Sequence, residues 1–175
     1  MDKSVSALDF RLMSLWFKFR DSLFPRKHIL QEVDIKPGDK VLDYGCGPGS
    51  YTIVVAQSVG ESGRVYALDI NPLAVQSVQN IVAKRKLTNV ETIHSDCATG
   101  LPDESMDVVL LYDILHDLTE PEAVLAELHR VLKKEGILSC NDHHLKEEIP
   151  DRITGKGLFK MVKRGEKVYN FTKTS

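Results

Sequence analysis

Little in this 175-residue chain points to export, to disulfides or to a charged polymer. No apolar stretch near the start is long enough for a signal peptide or a membrane span, because Arg11, Lys18 and Arg20 interrupt it. The three cysteines, Cys46, Cys97 and Cys140, show no C-x-x-C spacing, and their odd number suits a reducing compartment better than a disulfide framework. A formal net charge of -2 and a pI near 6.3 exert no global pull on nucleic acid or anionic lipid. These absences predict a soluble, cytoplasmic protein whose partners are recognised locally.

What is present fits one domain with extensions: 42% of residues are hydrophobic and 27% charged, enough for a single well-filled core. The most informative stretch is VLDYGCGPGS, residues 41–50. An apolar run ends at Asp43, and Gly45, Gly47 and Gly49 follow at alternate positions, so a buried strand turns where main chain can closely approach a ligand. Ser50 then opens an apolar helical segment whose first N–H groups point back into the same crevice. Further on, RVYALD, VETIHS, MDVVLLY and GILSCN read as strands, separated by helical patterns from Pro72 to about Lys86 and from about Glu120 to Lys134. The second helix has a capping-box pattern in Thr119 and Glu122 and a C-terminal signal in Lys133, Lys134 and Gly136. Such alternation implies a parallel sheet covered on both faces.

Both ends depart from this pattern. After Pro150, GLFKMVKR and KVYNFTK read as a hairpin at the sheet edge. Its basic residues serve either as edge guards or as a polyanion surface. Near the start, Leu8, Leu12, Leu15, Trp16, Phe19 and Leu23 form one helical stripe, and Phe10, Met13, Phe17 and Phe24 form a second, nearly opposite. The second stripe calls for an apolar substrate, a homodimer partner or further core. The expected division is an N-terminal lid or substrate wall over 1–35 and a nucleotide-binding domain over 36–175.

The glycine turn alone also suits a dinucleotide-dependent oxidoreductase. However, the spacing is G-x-G-x-G, with Ser50 where that fingerprint has its third glycine. Asp43 beside the turn repels a pyrophosphate and attracts an ammonium or sulfonium group. Asp69 ends the second strand, where a carboxylate accepts from ribose hydroxyls, and Asp96 ends the third. All three carboxylates lie at the edge where open α/β sheets bind ligands.

Taken together, VLDYGCGPGSYT, VYALDIN, HSDCATGLP, DVVLLYDILHDL and LHRVLKKEGIL resemble the class I S-adenosylmethionine-dependent methyltransferases, particularly small-molecule enzymes of the ubiquinone and menaquinone type, over about residues 35–145. The resemblance implies a doubly wound, Rossmann-like α/β fold: a mostly parallel seven-stranded sheet in the order 3-2-1-4-5-7-6, with the last strand antiparallel. It also implies that Gly45, Cys46, Gly47 and Gly49 cradle the methionine part of S-adenosylmethionine and that Asp43 holds its amino group. Asp69 would meet the ribose, Ile70 would also contact the cofactor, Asp96 and Cys97 would lie near the adenine, and Tyr112 to Ile114 would line the methyl donor.

In-line displacement at a sulfonium methyl chiefly requires positioning, which supplies about 7 to 11 kcal/mol. A base helps if the acceptor is a hydroxyl; His116 is the leading candidate, with Asp113 beside it and the pair His143 and His144 as an alternative. Asp113, Asn141 and Asp142 sit where catechol-type O-methyltransferases bind metal, but the Asn-Asp order is reversed and the expectation is no metal. No N-P-P-Y, D-P-P-Y or Pro-Cys motif is present, which argues against a flipped-base substrate. A small-molecule acceptor is expected. The remaining alternatives are the oxidoreductase and a methyltransferase-fold scaffold with little turnover.

Overall fold

The computed structural model describes residues 27–174. The aromatic stripes of the expected lid lie outside these residues. A short α1 (Lys27–Leu30) leads into the body, and Leu30 and Val33 are already buried in it. Both pack in one cluster with Val41 and Val55.

The strands are β1 (Lys40–Tyr44), β2 (Arg64–Asp69), β3 (Val90–His94), β4 (Met106–Tyr112), β5 (Leu132–Asn141), β6 (Phe159–Arg164) and β7 (Tyr169–Lys173). They form one sheet in the order β3-β2-β1-β4-β5-β7-β6, as the resemblance implied. β1 to β5 pair in parallel, whereas β7 runs antiparallel to both β5 and β6. The chain reverses its order of laying down strands between β1 and β4, which opens the ligand crevice of such sheets at their carboxyl ends.

The remaining helices are α2 (Thr52–Val59), α3 (Pro72–Arg85), α4 (Pro121–Val131) and α5 (Ile149–Thr154). Alternation along β4 divides the core between the sheet's two faces. Val108, Leu110 and Tyr112 pack with Val55 and Val59 of α2, while Val109 and Leu111 pack with Leu125 and Leu128 of α4. Each such fully buried aliphatic side chain stabilises the fold by about 1.5 to 3 kcal/mol. The start of α3 is set locally, by the Asn71 side chain accepting from the Leu73 amide and by Pro72 in the first turn.

Three expectations are corrected. The helix opened by Ser50 begins at Thr52. α4 stops at Val131 rather than Lys134, and its N-cap is Glu120 without a side-chain cap in place of the Thr119–Glu122 box. Leu132 to Gly136, read as a helix end, is extended and belongs to β5, with Leu132 paired to Met106 across an irregularity in the ladder. Gly136 is needed there because a Cβ would lie 2.7 Å from Leu132 Cδ1 and 3.1 Å from the Asp107 carbonyl.

Arg164 and Lys173 on the terminal hairpin, and Arg152 and Lys156 just before it, each face a carboxylate, which fits the edge-guard reading. Among the described residues no helix is long and apolar enough to cross a membrane.

Candidate active site

The site forms where β1 ends. Tyr44 is buried, and the amides of Gly45 and Cys46 both donate to the Leu68 carbonyl, at 2.8 and 2.9 Å, which binds the turn to β2. Gly45, Gly47 and Gly49 all have positive φ, at 77°, 52° and 90°. The surroundings of the first two differ. A Cβ on Gly45 would lie 3.0 Å from Ile114 Cγ1, whereas one on Gly47 would meet nothing within 4 Å. Gly45 thus permits close packing of the segment after β4, and Gly47 borders open space at the mouth of the crevice.

Asp43 lies beneath the turn, 3% exposed, and accepts a hydrogen bond from the Thr52 hydroxyl at 2.6 Å. Burial pushes its pKa up to about 6; the Thr52 bond acts against the rise and the nearby Asp69 charge adds to it. A buried carboxylate so disfavoured as an anion is poised to accept a cationic ligand. Cys46 is buried as well, and its thiol is pushed up, first by burial and then by Asp43 and Asp69, which makes it a packing residue rather than a nucleophile.

Asp69 closes β2 and bridges two loops. One oxygen accepts from the Gly47 amide at 2.8 Å and the other from the Asn71 amide at 2.8 Å. Burial raises its pKa, opposed by these two bonds. Each oxygen retains a lone pair, so the carboxylate both shapes the cradle and remains able to accept from a diol. Ile70 is 42% exposed, a large apolar side chain left beside the crevice. Asp96 is exposed and its carbonyl accepts from the Tyr44 hydroxyl at 3.3 Å; Cys97 is half-buried, and burial raises its pKa. Tyr112 is buried, with its hydroxyl 2.8 Å from Ser139 Oγ and its ring 4.8 Å from that of Tyr51. It backs the wall from within, and Ile114 is the residue that packs on the glycine turn.

The opposite wall comes from the segments after β4 and β5. Asp113 (φ 54°) accepts at one oxygen from the main-chain amide and Nδ1 of His143, at 3.2 and 2.8 Å. His116 lies in a 3-10 turn (Leu115–Asp117), and both its amide and its Nδ1 donate to Asp142, at 3.1 and 2.8 Å. The ring centroid of His144 is 4.2 Å from that of His116 and 3.9 Å from that of His143. Asp113, Asp142 and His143 offer potential ligand atoms within 4.8 Å of one another, but these carboxylates already accept N–H groups. Asn141 does not join them: its amide donates to the Lys167 carbonyl.

The carboxyl ends of β1 and β2 thus gather an open glycine, a buried carboxylate, a second carboxylate with lone pairs to spare and an exposed apolar side chain. Residues 35–174 match a family described as a methyltransferase domain. The chain belongs to the class I S-adenosylmethionine-dependent methyltransferases.

This methyltransferase is 34% identical over 139 residues to a demethylmenaquinone methyltransferase of Geobacillus stearothermophilus, covering 79% of this chain and 59% of that protein. It is 31% identical over 142 residues to one of Listeria monocytogenes, covering 81% and 56%. Among solved structures it resembles a SAM-dependent methyltransferase from Aquifex aeolicus, with a TM-score of 0.79 and 27% identity, covering 91% of this chain and 97% of that one. The methyltransferase spans 59% of the first of these curated relatives.

Three residues that shape the site are not legible in the sequence. Thr52, partner of Asp43, reads only as a polar residue opening an apolar helix. Glu127, on α4, accepts from both the amide and the hydroxyl of Thr99, at 2.8 and 2.6 Å, and so anchors the loop that follows Asp96 and Cys97. Asp142 entered only as a metal candidate and proves to be the partner of His116. The single available signal was the crowding of His143 and His144 beside it.

Proposed function

We propose that the protein transfers a methyl group from S-adenosylmethionine to a small-molecule acceptor of the demethylmenaquinone kind. The carrying observation is the open backbone at Gly47, whose amide is 2.8 Å from Asp69 and which lies above the buried Asp43. In this reading Gly45, Cys46, Gly47 and Gly49 cradle the amino-acid tail, and Asp43, backed by Thr52, neutralises its ammonium charge. Asp69 receives the ribose hydroxyls, while Ile70, Asp96 and Cys97 surround the adenine. Tyr112 and Ile114 form the wall between donor and acceptor, and His116 and Asp113 lie on the acceptor side. The donor, when bound, supplies an electrophilic methyl on a sulfonium; the protein contributes orientation and exclusion of water. Support for the acceptor comes from the demethylmenaquinone methyltransferases that the chain resembles.

Calorimetric titration with S-adenosylmethionine and with its demethylated product, S-adenosylhomocysteine, tests the donor half. Both are expected to bind, and Asp69→Ala is expected to lower affinity at least tenfold by removing the diol acceptor and releasing Gly47. Binding of a nicotinamide dinucleotide in their place would overturn the reading. Incubation with a methyl-labelled donor and demethylated quinol tests the acceptor, with label expected in the quinol.

A further inference from the structure

Three features beyond the donor site carry chemistry: the basic edge hairpin, a charged hollow at the amino ends of β4 and β5, and the histidine cluster after β4 and β5. On the hairpin Arg164 and Lys173 face carboxylates and Lys163 donates to the Glu32 carbonyl, and the hollow, lined by residues such as Asp34, Asp107 and Lys133, has no feature that selects a ligand. The histidine cluster carries an inference.

We propose that Asp142 is a positioning residue that holds His116 in the tautomer with its proton on Nδ1, so that Nε2 takes the proton of an acidic hydroxyl on the methyl acceptor. This assignment rests on the functional reading above. Asp142 is the more constrained partner: its side chain is fully buried. One oxygen accepts from the amide and Nδ1 of His116, and the other from the amides of His144 and Leu145, at 2.9 and 3.3 Å. Burial acts to raise its pKa, but these hydrogen bonds outweigh it and hold the carboxyl below its ordinary range. An ionised carboxylate only accepts, so Nδ1 must carry the hydrogen, and the neutral ring is left with its lone pair on Nε2.

The surroundings of Nε2 suit the transfer of a proton. Asp117, on the same turn, brings a carboxylate oxygen to 3.3 Å from Nε2 on a side chain that is 69% exposed. With the ring neutral this carboxylate has no hydrogen to accept from Nε2 and turns into water, which leaves the lone pair to the acceptor hydroxyl. His144 covers the ring, with centroids 4.2 Å apart, and Nδ1 of His143 beyond it is held by Asp113 at 2.8 Å. Ile114, two residues before His116, packs at the Gly45 position, which puts the turn beside the donor cradle.

The step balances simply. The acceptor O–H bond breaks, its electron pair stays on oxygen, the proton joins Nε2, and the resulting imidazolium is neutralised by Asp142. A phenolic hydroxyl, with a pKa of about 10, is acidic enough to give its proton to a neutral imidazole, whereas an aliphatic alcohol is not. The acceptor class is therefore an aromatic hydroxyl compound.

Long-range proton–nitrogen spectra of the full chain with nitrogen-15-labelled histidine test the tautomer directly, with and without S-adenosylhomocysteine. Neutral His116 is expected as the Nδ1–H form in both; the Nε2–H form would overturn the proposal. The probe for the second half is 1-naphthol, added to the S-adenosylhomocysteine complex, with 1-methoxynaphthalene as control. The naphthol is expected to move His116 towards imidazolium signals, the ether to leave it unchanged, and His116→Gln to weaken naphthol binding at least tenfold while donor-product affinity stays within twofold. No response of His116, or equal naphthol affinity in the variant, would overturn the proton-acceptor role. Asp142→Asn is expected to give mixed tautomers; if it does not fold, the unmodified chain's spectrum still decides. Failure of S-adenosylhomocysteine to bind strikes instead at the donor reading, which the donor-free tautomer measurement does not share.

Discussion

The Thr52 hydroxyl reaches Asp43 at 2.6 Å, linking the first residue of α2 to the penultimate residue of β1 beneath the glycine turn. This bond is one of the few forces stabilising the anion of a carboxylate that burial pushes up to about 6. The pair couples fold stability to occupancy of the cradle above it.

The first consequence is a pH dependence. Because Asp43 has a folded pKa of about 6 against an ordinary 3.8, the ligand-free fold binds its proton more tightly than the unfolded chain does. Its contribution is therefore fully present below 3.8 and is lost as pH rises through 6, up to about 3 kcal/mol. A cationic donor reverses the sign by favouring the anion. The thermal shift produced by S-adenosylmethionine is expected to be small at pH 5 and to reach a plateau above pH 7, and Asp43→Asn should flatten it. Thermal melts across that range check this.

Removing the hydroxyl should expose the cost of the buried charge. Thr52→Val is nearly isosteric and leaves Asp43 without its donor, so a loss of about 1 to 3 kcal/mol is expected at pH 8. At pH 5 the loss should be smaller, because the carboxyl is then largely neutral. Urea denaturation at the two pH values measures the difference.

Two glycines of the turn should separate stability from binding. Gly47→Ala places a methyl in open space at φ 52°, so the backbone strain costs about 1 kcal/mol while donor affinity falls at least tenfold. Gly45→Ala adds to similar strain a contact 3.0 Å from Ile114, and the loss of stability should exceed that of Gly47→Ala. Denaturation and donor titration of both variants test the ranking.

Glu127 should steady the loop after β3 from a distance. The hydrogen bond from Arg130, chiefly, and those from Thr99 hold its carboxyl down to about 2. The folded pKa is depressed, so its stabilisation is present above about 4.5 and is lost as pH falls towards 2. Glu127→Gln is expected to cost about 1 to 2 kcal/mol at pH 7, discounted because the Arg130 side chain is 37% exposed. The gap from the unmodified chain should narrow below pH 4. Donor affinity should fall several-fold as the loop from Ser95 to Leu101 loosens.

Much of this protein was legible because its signals are local. β1, β2 and β4 are largely apolar runs bounded by polar or glycine residues, and three alternating glycines after Asp43 require a turn that few other residues can make. These features determined the class of fold and the placing of Asp43, Asp69 and Asp96 at or just beyond the carboxyl ends of the first three strands. They depend on the chain's immediate neighbours, and a linear pattern records those faithfully.

Only the tertiary structure decided where α4 yields to β5, since Leu132 to Gly136 carries a plausible helix ending and becomes a strand by pairing with Met106 on β4. It alone joined Asp142 to His116 and Glu127 to Thr99, contacts spanning 26 and 28 positions. The physical reason is the same in each case. A hydrogen bond between distant segments is selected by burial, which removes water as the competing partner, and burial exists only once the sheet has assembled.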